Sequence, residues 1–83
     1  MVEGTMKLLQ IDQGSDYFNR YFFSKNNDVF AYIFEYERER YVWQIDQKIT
    51  ELTEGNSYHV IATIGKRLLG GRGLSIYDVV ISS

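Results

Sequence analysis

The sequence predicts a mainly β domain: a five-stranded Greek-key barrel with a short helix between strands 3 and 4. Three observations predict it. Eleven of the thirteen aromatic residues fall between Tyr17 and Trp43, and many of them alternate along strand-like runs. Clusters of Gly, Asn and Asp divide the chain into short segments rich in Val, Ile, Tyr and Phe, the residue types that favour strands. Between Asp46 and Gly55 the pattern changes to helix signals.

Composition sets the frame. A chain of 83 residues makes one small domain with a single core. At 45% hydrophobic and 24% charged it is globular rather than disordered. With no Cys, disulfides, thiolate metal sites and Cys nucleophiles are excluded. With no Pro, no strand is ruled out by one. No apolar run approaches the ~20 residues of a membrane-spanning helix, and Met1–Met6 lacks the basic and apolar regions of a secretory signal. A cytoplasmic domain at 7–83 is expected, with residues 1–6 a disordered extension and no membrane partner.

In chain order, Lys7-Leu8-Leu9-Gln10-Ile11 is apolar enough to begin a strand. Asp12 to Asp16 reads as a turn or bulge around Gly14, and residues 17–24 as the second half of a long first strand. Lys25-Asn26-Asn27-Asp28 is the clearest turn and predicts a hairpin into residues 29–37. There the odd positions Val29, Ala31 and Ile33 are aliphatic, while Phe30, Tyr32, Phe34 and Tyr36 are aromatic. Successive strand side chains point to opposite faces, so this pattern suggests an aliphatic core face backed by a row of rings.

Glu37-Arg38-Glu39-Arg40 is a charged tip leading into a third strand at 41–45. Asp46 suits a helix N-cap, Ile49 and Leu52 follow at a spacing of three, and Gly55 suits a helix end, so one or two helical turns are expected over 47–54. Residues 57–64 read as a fourth strand, 65–73 as a basic, Gly-rich connection, and 74–81 as the last strand. Strand, strand, strand, short helix, strand, strand is the layout of the OB-fold.

From Ile49 onward the chain resembles the second half of bacterial single-stranded-DNA-binding proteins. The resemblance lies in Leu52-Thr53-Glu54-Gly55-Asn56-Ser57-Tyr58-His59-Val60, in the loop Lys66–Gly73, and in the closing Leu74-Ser75-Ile76-Tyr77-Asp78-Val79-Val80-Ile81. Tyr41-Val42-Trp43 is similar to the family's third strand, and the resemblance implies that Trp43 stacks on a base. The chain departs from the family in its acidic first half, its shorter length and its lack of an acidic tail.

The candidate site combines Tyr32, Tyr36, Tyr41 and Trp43 with Lys66, Arg67 and Arg72. Tyr and Trp stack while their polar ends stay wet, and Lys and Arg neutralise phosphates. The expected partner is single-stranded DNA or RNA, within a DNA replication or recombination assembly. Tyr, Trp and Arg also dominate protein hot spots, so a protein partner or self-association through the aromatic sheet face remains the other reading. The net charge of −2 favours that second reading. It is unevenly spread, however: residues 55–83 carry Lys66, Arg67 and Arg72 against Asp78 alone.

No catalysis is expected. The connection is neither a phosphate-binding P-loop nor a dinucleotide fingerprint. The one histidine, His59, cannot build a zinc site without carboxylate help. Glu35, Glu37 and Glu39 read as a solvated tip with cross-strand charge pairs, and no nucleophile–base pair is apparent. No cofactor is expected.

Overall fold

The structure is a computed structural model and describes residues 1–13 and 30–82. Five strands, β1 (Val2–Gln13), β2 (Phe30–Tyr36), β3 (Glu39–Ile45), β4 (Ser57–Leu68) and β5 (Gly73–Ser82), close into a barrel in the order β1-β2-β3-β5-β4. All neighbours are antiparallel except β3 and β5, which run parallel where Tyr41, Val42 and Trp43 meet Leu74, Ser75 and Ile76. The arrangement is consistent with an OB-like barrel.

β1 serves two neighbours. Val2–Lys7 pairs with β4, and Lys7–Gln13 pairs with β2 across a register shift at Leu9. An extra residue on one strand bends it, which lets a single strand turn from one wall into the next. Residues 2–6, expected to lie ahead of the domain, are therefore part of its wall. The strand, turn and hairpin expected over 14–29, Val29 included, lie outside the described residues.

The short helix expected at 47–54 is absent: the described residues contain no α-helix, and two tight turns run through 46–56 instead. They are marked by Leu52 N–H donating to the Ile49 carbonyl and Asn56 N–H donating to the Thr53 carbonyl. So few residues rarely sustain a helix alone, because the first turn fixes several dihedrals for one hydrogen bond. Here the free amides also have better partners. Ile49 N–H donates to the Tyr32 hydroxyl at 2.7 Å, Thr53 N–H to the Tyr58 hydroxyl at 2.8 Å, and Gly55 N–H to the Leu8 carbonyl at 2.7 Å. The Thr53 amide holds the Tyr58 phenol below its ordinary pKa, as a donor that favours phenolate should.

The second difference is which face of β2 turns inward. Tyr32 and Phe34 are fully buried in the main core with Met6, Leu8, Tyr58 and Val60. Phe30 and Tyr36 pack partly buried against them. The aliphatic residues Ala31 and Ile33 instead form a smaller cluster with Val42 and Leu68. A small closed barrel must fill its interior with side chains, and the bulky aromatic set occupies it. Phe34 and Phe30 are thus core or packed on it, as phenylalanine seldom stays exposed, whereas Tyr32, expected on the outer face, is core as well.

Candidate nucleic-acid interface

Two connections meet at one end of the barrel. Tyr36 pairs with Glu39, so β2 and β3 join through the two residues Glu37 and Arg38, with φ values of 50° and 67°. Two positive φ angles in a two-residue hairpin match the type I′ turn that fits strand twist. Because β3 and β5 are parallel at their starts, this tip lies beside the short connection Leu69–Gly71 between β4 and β5. Gly73, at φ 115°, packs so closely there that a Cβ would collide with the Arg40 carbonyl.

The tip brings Glu39 onto Arg67 and Arg40 against Gly73, so Arg40 and Arg67 share one end of the barrel. Arg67 Nη2 lies 3.0 Å from Glu39 Oε2. That hydrogen bond, aided by the Arg40 amide, holds the Glu39 carboxyl below its usual pKa. The basic stretch differs from expectation in one respect: β4 continues through Leu68, so Lys66 and Arg67 are strand residues rather than loop residues.

The tyrosines and the tryptophan divide. Tyr32 and Tyr41 are buried, so neither offers a face to a ligand. Tyr36 is half-buried, its ring pressed so closely on Gly4 that a Cβ there would overlap it. The Glu37 carboxylate, ahead of burial, raises the Tyr36 phenol pKa, whereas burial is the main cause for Tyr41. Trp43 is half-buried, its ring centroid 5.6 Å from that of Tyr32 at a tilt of 42°. It opens on a groove at the opposite end with Ile49, Glu51, Leu52, Val79 and Ile81. Arg67 thus lies near Tyr41, whose phenol pKa it acts to lower, and near the tip that carries Tyr36, but Trp43 opens away from it.

A different ring accompanies the cations. Tyr77 is 52% exposed on β5 and lines a cleft of about 230 Å3 with Lys66, Gln44, Ser75, Val42 and Leu68. A register shift on β4 between Ile64 and Arg67 shapes this cleft, and Lys66 N–H donates to Ser75 Oγ at 2.9 Å. The cleft therefore offers an aromatic face, an aliphatic floor, amide and hydroxyl groups, and a cation. No family model, curated protein or solved structure matches this chain. Sequence patterning passed over Tyr77, although Leu74 and Ile76 point inward and put Ser75 and Tyr77 on the outer face. The apolar run at 79–81 obscured that alternation.

Among the described residues no group of three or more His, Asp or Glu side chains is placed to hold a metal ion. His59 Nε2 lies 3.2 Å from Glu3 Oε2 on the β1–β4 wall. No helix among the described residues is long and apolar enough to cross a membrane.

Proposed function

We propose that this barrel is a non-catalytic domain that binds single-stranded nucleic acid on the outer face of β3 and β5, within a DNA replication or recombination assembly. The observation that supports it is the coincidence of Tyr77 with Lys66 in one cleft, with Arg67 next to Lys66 on β4. A base stacks on the Tyr77 ring, and the backbone follows the cationic end. The OB architecture places oligonucleotide sites on neighbouring surfaces, the β2–β3 face and the β1–β2 and β4–β5 loops. Stacking on one ring is worth about 1–3 kcal/mol and tolerates any base. With few phosphate contacts, affinity is modest and salt-sensitive.

Fluorescence anisotropy of labelled oligo-dT at low and moderate salt tests this. Binding that weakens with salt is expected, and Tyr77→Ala should weaken it by about 5- to 150-fold, the equivalent of one stacked base. Lys66→Ala should lower both affinity and the salt slope. Absence of binding at tens of micromolar in low salt, or binding indifferent to both substitutions, overturns the proposal.

A further inference from the structure

Away from the cationic end, β3 and β5 diverge although the barrel is closed. β5 pairs with β3 only through Leu74, Ser75 and Ile76, although β5 runs on to Ser82. From Tyr77 onward its described pairing is with β4 alone. The cause is local. Asp78 has φ 51°, and Asp78 and Val79 together oppose the single residue Ala62, a bulge that bends β5. β3 ends at Ile45, and the turns of 46–56 leave a groove between themselves and β5. It has a volume of about 310 Å3 and is lined by Trp43, Ile49, Leu52, Val79, Ile81 and Glu51.

We infer that this groove and the adjoining β5 edge receive an extended segment of a partner protein, an apolar strand flanked by Lys or Arg. A strand edge supplies backbone donors and acceptors to an added strand, and its alternate side chains enter a pocket. The volume is at the low end of small-molecule pockets, ~300–1,000 Å3, and the open side is a strand edge, which selects an extended backbone over a compact ligand.

Charge selects the flanks. Glu51 lines the groove, Asp46 follows β3 and Asp78 sits at the bulge, all exposed, with Lys48 the one cation in the intervening turns. A second copy docked edge to edge would bring two Asp78 and two Glu51 carboxylates into one contact. A basic-flanked strand meets these carboxylates with opposite charge. This inference stands apart from the nucleic-acid reading, which uses the cleft of Tyr77, Lys66 and Ser75 rather than this groove.

The test uses the whole chain and capped peptides Lys-Val-Thr-Ile-Val-Lys and Glu-Val-Thr-Ile-Val-Glu, read through Trp43, the single tryptophan. The basic peptide should change Trp43 emission and bind about fivefold tighter at low salt, as two exposed charge pairs of ~0.5 kcal/mol each allow. Glu51→Lys, at an exposed position, should narrow or invert that preference, and N-methylation of alternate amides in the peptide should abolish binding. Three results overturn the inference: no Trp43 response to either peptide at millimolar concentration, equal binding of the N-methylated peptide, or sedimentation showing a dimer that already shields Trp43.

Discussion

The two ends of the barrel are closed by different means. At the cationic end the closure is made mainly by backbone, a two-residue turn and a glycine against the Arg40 carbonyl, with an exposed ion pair beside them. At the acidic end side chains take part: the turns of 46–56 hang from the hydroxyls of Tyr32 and Tyr58 as well as from the Leu8 backbone. The first arrangement packs the connections tightly and projects charge. The second leaves a groove. The comparison also explains how a chain of net charge −2 presents a cationic contact: the charges are sorted by position in the fold, which an overall sum cannot register.

The largest effect should come from the acidic end. Tyr32→Ala removes a fully buried ring and should cost about 3–5 kcal/mol in urea denaturation. Tyr32→Phe separates the two duties of that residue: it keeps the ring but strips the Ile49 amide of its acceptor, at a cost of about 1–3 kcal/mol. If Tyr32→Phe were neutral, the hydroxyl anchors would not be what holds the turns.

At the other end, Gly73→Ala should cost about 1–3 kcal/mol because alanine is strained at positive φ, with the collision on Arg40 added. Glu37→Asn combined with Arg38→Gly should instead raise stability by about 1–2 kcal/mol, since these residue types accept left-handed angles at little cost. A thermal melt unchanged by both would mean that this end is not closed by backbone geometry.

The smallest effect concerns pH. The folded Glu39 pKa lies below its ordinary value because of Arg67, so its contribution is present above that ordinary value, about 4.3. It is lost as the pH falls through the folded pKa. Glu39→Gln should therefore flatten the stability profile slightly on the acid side, and only slightly, because exposed pairs are worth little. A deep change there would mean that the pair carries the closure.

Much of this fold is written locally. The strands at 57–64 and 74–81 lie within β4 and β5, and 29–37 brackets β2, because β-branched and aromatic runs between turn residues pair wherever the chain permits. Alternation at Phe30 to Tyr36 divides one strand into two faces, yet it does not say which face is interior. That depends on the volume a closed barrel must fill, a property of all five strands together. Hence Tyr32 and Tyr41, suitable as stacking rings by type, are core. Lys66 and Arg67 are neighbours on β4. That the β2–β3 tip meets this end, with Glu39 on Arg67 and Arg40 against Gly73, follows only from the parallel pairing of β3 with β5, which no local pattern encodes. Asp46 and Gly55 carry true helix-end chemistry, but competing acceptors on Tyr32 and Tyr58 capture the amides of the segment between them.

One further consequence follows from the way β1 is shared. Its two halves bond to β2 and to β4, while among the described residues β5 alone bridges β3 and β4. Without β5 the described strands would form an open sheet, β4-β1-β2-β3, with two raw borders. Such borders invite mispairing with neighbouring chains, so docking of β5 is the step that shields this sheet.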